Sequence, residues 1–130
     1  MSKLLTCLLV AVMVLGLFLV QIHLAAAQEP TQYSVSFAQT GSAVAPTVTY
    51  SIDDAPEAVG TVGTDGLTVT VNSGSTISYS YQDTVPGAVY GVQYVLTGVS
   101  PKSPQTVTTG PLVISGSYKI QWKVTFDPVS

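Results

Sequence analysis

The stretch Tyr118-Lys119-Ile120-Gln121-Trp122-Lys123-Val124-Thr125-Phe126 alternates apolar and polar side chains without interruption. Successive side chains of an extended chain point to opposite faces, so alternation of this kind places one row on a core and the other in water. The apolar row consists of Tyr118, Ile120, Trp122, Val124 and Phe126. The stretch therefore predicts a long, half-buried β-strand near the end of the sequence.

The same period of two recurs through most of the sequence before this strand. Its apolar rows are Tyr33, Val35 and Phe37; Val48, Tyr50 and Ile52; Leu67, Val69 and Val71; Ile77, Tyr79 and Tyr81; Val92, Tyr94 and Leu96; and Leu112 and Ile114. Turn-forming Gly, Pro, Asn and Asp residues separate the rows, and no segment has apolar spacing of three and four over a helical length. We predict an all-β fold, a single antiparallel Ig-like β-sandwich of seven or eight strands over residues 32–130.

The first 27 residues have a different composition. Lys3 precedes an apolar run from Leu4 to Val20, and the segment closes on Ala25-Ala26-Ala27 before Pro30. A basic start, an apolar stretch and a small-residue exit predict a secretory signal peptide over residues 1–27, followed by a short arm over residues 28–31. A retained membrane anchor is the alternative, because the apolar run approaches the length of a bilayer span. The prediction is a secreted, cell-surface chain with no membrane span after cleavage.

Removing this leader leaves little site chemistry. Cys7, His23 and both methionines lie within it, so residues 28–130 contain no thiol, no imidazole and no arginine. Three lysines against seven acidic residues leave a formal charge of −4. Nucleic-acid binding needs clustered basic residues, so we exclude it. We expect no cofactor and no enzymatic activity. A catalytic Ser-Lys pair needs a buried lysine, whereas Lys119 and Lys123 fall on the polar, water-facing row of a strand.

Two further groups of side chains are candidates for binding. Asp53, Asp54, Glu57 and Asp65 form the densest acidic group and are weak candidates for calcium, although acidic residues in turns are commonly turn formers on the surface. Most tyrosines fall on apolar rows and are predicted to pack in the core. Tyr90 lies off the rows and is the best exposed candidate for contact with a sugar.

One internal similarity links the two ends of the predicted domain. Gln32-Tyr33-Ser34-Val35-Ser36-Phe37 matches Gln121-Trp122-Lys123-Val124-Thr125-Phe126, with three identical positions, one aromatic swap, one hydroxyl swap and one change of Ser to Lys. Because β-propensity narrows the choice of residues, two half-buried strands can also resemble each other without a shared role. Both interpretations stay open at this point.

Three segments resemble a known family of repeats. Val71–Tyr81, Tyr94–Pro104 and Gly110–Phe126 are similar to the Ig-like β repeats of archaeal surface and secreted proteins, which occur in tandem on thermopsin-type and S-layer-associated chains. The resemblance implies a structural role and provides no catalytic residues. This sequence contains one module, whereas the family usually has several.

From these observations we hypothesise a homopolymer assembled by β-strand donation. The segment from Gln28 to Ala38 would leave its own sheet and fill the edge of the next subunit, with Gln32, Tyr33, Val35 and Phe37 at the interface. The row from Tyr118 to Phe126 would form the complementary terminal strand. Such a head-to-tail contact builds an open extracellular filament, a scheme similar to that of archaeal bundling pili.

Two alternatives remain from the sequence. The chain is a monomeric adhesive or carbohydrate-binding module with glycans or other surface proteins as partners, or it is one repeat of a larger surface protein. Binding of the monomer to glycans would favour the first.

Overall fold

The computed structural model describes residues 28–129, so the predicted signal peptide over residues 1–27 lies outside the described residues. A compact unit begins at Thr31. Its nine strands are β1 (Gln32–Thr40), β2 (Thr47–Ile52), β3 (Ala58–Thr61), β4 (Leu67–Asn72), β5 (Ser75–Tyr81), β6 (Thr84–Pro86), β7 (Val92–Ser100), β8 (Gln105–Val107) and β9 (Leu112–Trp122). Within residues 28–129 there is no helix with the length and apolarity needed to cross a membrane.

The strands form two sheets. Sheet A has the order β4-β1-β9-β7-β6, and sheet B has the order β3-β2-β5-β8. The prediction of an all-β sandwich is confirmed. The described residues form nine strands, whereas the sequence predicted seven or eight. β3, β6 and β8 are only three or four residues long, so they are too short to show a recognisable alternation in the sequence.

One strand pair departs from the predicted antiparallel arrangement. β1 runs parallel to β9, with Val35 opposite Leu112 and Thr40 opposite Ser117. The other described pairs are antiparallel. The parallel pair arises because the chain reaches β9 from β8 in sheet B and enters sheet A near the end of β1 that holds Gln32, so β9 runs beside β1 in the same direction.

The core lies between the two sheets and is built mainly from the predicted apolar rows, to which Val62, Val85 and Val107 are added from outside those rows. Its fully buried side chains are Val35, Phe37, Val48, Val62, Ile77 and Ile114. The ring of Phe37 meets Tyr79 and Tyr81 edge-on, with ring centroids 5.9 and 6.2 Å apart. Edge-to-face packing of this kind adds to the hydrophobic gain of burial.

The register gives the sandwich two distinct ends. At the Gly41 end lie the β1–β2 loop (41–46), the β6–β7 loop (87–91) and the last residues of β9. At the Gln32 end lie the start of β1 and the tight turn between β4 and β5. The polarity of any contact between copies depends on which of these ends meet.

Candidate functional site

The predicted donor strand β1 lies inside its own sheet, between β4 and β9. Residues 32–37 pair with β4 and residues 35–40 pair with β9, so the middle of the strand is hydrogen-bonded on both sides. Val35 and Phe37 are fully buried, whereas Tyr33 is partly exposed. Donation of β1 to another copy therefore requires this strand to leave a filled position in the sandwich.

Polar side chains on the outer face of sheet A support the pairing of β1 with β4. The amide of Gln32 donates to Oδ1 of Asn72 at 3.3 Å, and the hydroxyls of Ser36 and Thr68 lie 3.2 Å apart. From sheet B, the Tyr81 hydroxyl lies 2.8 Å from the carbonyl oxygen of Ala38. The β1 position thus combines an apolar inner row with polar partners outside.

The predicted complementary strand divides into a buried and an exposed part. Tyr118 is buried, but Ile120, Trp122, Val124 and Phe126 are exposed by 42%, 68%, 68% and 88%. We call these four side chains the apolar ridge. β9 ends at Trp122, and the Lys123 amide still donates to the carbonyl oxygen of Gly91 at 2.7 Å. The expectation that the whole row faces the core is therefore wrong beyond Tyr118, because the sandwich ends there.

The outer edge of β4 was not singled out from the sequence. β4 pairs with β1 on one side and is the terminal strand of sheet A on the other. Its six residues include no proline, glycine or charged residue. Natural sheet edges are commonly shortened or blocked by such residues, so their absence from β4 is the sequence signal that points to this edge.

The acidic group does not form a single cluster. Asp53, Asp54 and Glu57 lie around the β2–β3 turn at the Gln32 end, whereas Asp65 precedes β4 at the Gly41 end. Oδ1 of Asp53 accepts a hydrogen bond from the Thr76 amide at 2.9 Å, which holds the pKa of this carboxyl below its usual value. Across residues 28–129, no three His, Cys, Asp or Glu side chains are grouped as metal ligands.

The aromatic side chains separate into core and surface groups. Tyr79, Tyr81, Tyr94 and Tyr118 are buried, whereas Tyr90 is 93% exposed in the β6–β7 loop. Burial raises the pKa of Tyr118 to about 12, with the nearby Asp83 charge as a second cause, and burial also raises the pKa of Tyr81. The tyrosines therefore do not form one continuous platform.

The comparisons with known proteins return no relative. No protein-family model, curated protein or solved structure matches the chain.

Proposed function

We propose that this chain is a secreted structural subunit that joins copies of itself head to tail by β-strand donation. The observation that carries the proposal is the apolar ridge, four exposed side chains on the last residues of β9 and the residues that follow it, which continue the core-facing row of β9 in sequence. A monomer gains nothing from exposing such a row, and large exposed apolar surfaces commonly mark interaction sites. Strand donation buries the row and satisfies the backbone of the segment in one step.

The remainder of the described surface supports a structural role. The grouped ligands of a metal site are not found among residues 28–129, and the side chains of general acid–base chemistry are confined there to carboxylates, lysines and tyrosines. The partner is another copy of the chain, and the location is the cell surface or an extracellular filament.

The experiment is negative-stain microscopy and analytical ultracentrifugation of the chain over residues 28–130. We expect filaments that lengthen as the protein concentration rises and that dissociate on dilution. A protein that remains monomeric at millimolar concentration would contradict the proposal.

Glycan binding is a second candidate, and the exposure of Tyr90 favours it. A side chain that is 93% exposed beside the neighbouring exposed Val89 presents an apolar ring to solvent. Aromatic rings of this kind can stack on sugars, since the ring face is apolar while the hydroxyl stays hydrated. A glycan array probed with the monomer tests this candidate, with Tyr90→Ser as the control that should abolish any signal.

A further inference from the structure

The apolar ridge has a defined partner in the sequence itself. Gln121–Phe126 repeats the pattern of Gln32–Phe37, and Gln32–Phe37 is the part of β1 that pairs with β4. In this alignment Val124 corresponds to Val35 and Phe126 to Phe37, the two fully buried side chains of β1. A segment with this pattern has the side chains needed to pair with β4.

The polar positions of the segment fit β4 equally well. In the alignment, Gln121 corresponds to Gln32, whose side-chain amide contacts Asn72. Thr125 corresponds to Ser36, and both carry a hydroxyl like the one through which Ser36 contacts Thr68. The side chains of Thr68 and Asn72 are exposed on the outer face of sheet A, so a strand on either side of β4 can reach them. The same cross-strand partners are therefore accessible from the free edge of β4.

The free edge of β4 is the most suitable sheet edge on the described fold. The other terminal strands are β6, which includes Pro86; β3, which has four residues; and β8, which has three residues. β4 has six uninterrupted residues, the same length as the repeated pattern. Its inner row is not fully covered, because Leu67 and Val69 are partly exposed.

The direction of the strands decides between the two donor candidates. If β1 moved to another copy, its last residue, Thr40, would lie at the Gly41 end of the copy that accepts the strand. The first residue of β2, Thr47, would remain at the Gly41 end of the copy that donates it. The connecting loop over residues 41–46 reaches at most about 20 Å. The two Gly41 ends would then face each other, which favours a closed reciprocal pair over an open filament.

The segment Gln121–Phe126 has the opposite polarity. Its first two residues, Gln121 and Trp122, pair with β7 on one side, and their other side is not paired with β1, because the β1–β9 pairing ends at Ser117. The segment leaves its own sandwich at the Gly41 end, and pairing of that other side with β4, Gln121 opposite Asn72 and Phe126 opposite Leu67, lets it enter the next copy at the Gln32 end. The pairing is antiparallel, and each copy keeps one donor segment and one acceptor edge. Repetition of this contact builds an open head-to-tail chain.

We propose that Gln121–Phe126 of one copy adds as an antiparallel strand to the free edge of β4 in the next copy, while β1 stays in its own sheet. The proposal rests on the proposed function and assigns its donor and acceptor. Addition at an edge places Trp122, Val124 and Phe126 of the ridge beside the inner row of β4 without exposing any side chain of β1. Exchange of β1 would only replace one set of buried contacts by an equivalent one.

The first test substitutes two ridge residues that are exposed in the monomer, so that the fold of the monomer is kept. The variant Val124→Asp/Phe126→Asp should fold normally by circular dichroism and raise the critical concentration for filaments by about tenfold or more, because two apolar side chains lose their burial. Val113→Asp is the matched control, since Val113 is an apolar side chain of β9 that is 61% exposed outside the ridge. Its critical concentration should remain unchanged. Normal filaments from the ridge variant would overturn the inference.

The second test reads the register directly. Residues 28–130 contain no cysteine, so Thr68→Cys/Thr125→Cys introduces the only two thiols. By analogy with the pair of Ser36 and Thr68, these positions lie opposite each other between copies, and oxidation of filaments should give a ladder of covalent oligomers. Val113→Cys/Thr125→Cys is the control and should give no ladder. A ladder from the control alone would contradict the register.

A third variant separates this inference from β1 donation. Ser34→Cys/Thr70→Cys should form a disulfide within one copy and hold β1 on β4, because these two residues lie directly opposite each other and Thr70 is not a contact that the inference assigns to the donor. The matched control is Thr76→Cys/Thr106→Cys, which joins β5 to β8 at two residues that also lie directly opposite each other. We expect both oxidised variants to polymerise like the parent chain.

The outcomes of the third variant are distinct. If only the β1 disulfide abolishes filaments, β1 is the donor, so the inference fails while the proposed function stands. If the parent chain forms no filaments, both fail.

Discussion

The ring of Tyr81 in sheet B lies directly against the backbone of Gly116 in sheet A. A Cβ atom at Gly116 would come within 2.7 Å of Cδ1 of Tyr81. The close approach places the Tyr81 hydroxyl 2.8 Å from the carbonyl oxygen of Ala38 and 3.0 Å from that of Ile114. One side chain of β5 therefore contacts both members of the parallel β1–β9 pair.

Replacement of Gly116 by alanine should destabilise the fold. The added methyl group overlaps the Tyr81 ring, and relief requires the ring to move away from both carbonyl groups. We expect a loss of about 1–3 kcal/mol in the free energy of unfolding, measured by urea denaturation. Gly98→Ala in β7 is the control, because a Cβ there meets no atom within 4 Å. Equal free energies of unfolding for Gly116→Ala and Gly98→Ala would show that the Tyr81 ring moves aside without a cost in stability.

Removal of the Tyr81 hydroxyl tests the hydrogen bonds separately from the ring. Tyr81→Phe keeps the ring on Gly116 and loses the contacts with Ala38 and Ile114. We expect a loss of about 1 kcal/mol in the free energy of unfolding, the usual net value of such a bond. Tyr90→Phe should leave the stability unchanged, because the Tyr90 side chain is 93% exposed.

Gly41 controls the path of the chain out of β1. Its φ of +86° disfavours side chains, and a Cβ atom there would collide with the carbonyl oxygen of Tyr118. Gly110→Ala is the control, since Gly110 also has a positive φ, of +61°, but open space around its Cβ position. Gly110→Ala should cost about 1 kcal/mol in denaturant melts, and Gly41→Ala should cost clearly more because a backbone atom cannot rotate away. Similar losses would mean that the loop from Gly41 shifts easily.

The raised tyrosine pKa values predict a loss of stability in alkali. Folding raises the pKa of Tyr118 from its ordinary value of 10.0 to about 12, and burial raises that of Tyr81 as well. The contribution is fully present below pH 10 and is lost as the pH rises through the folded-state values, since the unfolded chain then releases protons more readily. Melting temperatures between pH 8 and pH 12 should fall more steeply for the parent chain than for Tyr118→Phe. If the melting temperatures of the parent chain and Tyr118→Phe fell equally with pH, ionisation of Tyr118 would not be the cause of the loss.

The composition of the core was predictable from the sequence, but the end of the sandwich was not. Alternation places Tyr118, Ile120 and Trp122 on one face, and the structure keeps them there, yet only Tyr118 is buried. Alternation describes the direction of a side chain relative to its own strand. Burial also needs an opposing sheet, and the opposing sheet does not extend past Tyr118.

The likeness of Gln32–Phe37 to Gln121–Phe126 was likewise visible in the sequence, but its consequence was not. The structure encloses the first segment between β4 and β9 and leaves the second segment exposed. Two segments with nearly the same local preferences thus have different surroundings. The difference lies in contacts between residues that are far apart in the chain.

The sequence by itself determined that this protein is a β-sandwich and which apolar rows supply its core, because the direction of successive side chains is a local property of extended backbone. Only the tertiary structure decided that β1 lies between β4 and β9, that β1 and β9 are parallel, and that β4 has a free edge. Strand order and strand direction depend on long-range pairing, to which many alternating strands are nearly equally suited. The exposed apolar ridge and the open edge that we propose as its partner are products of that pairing.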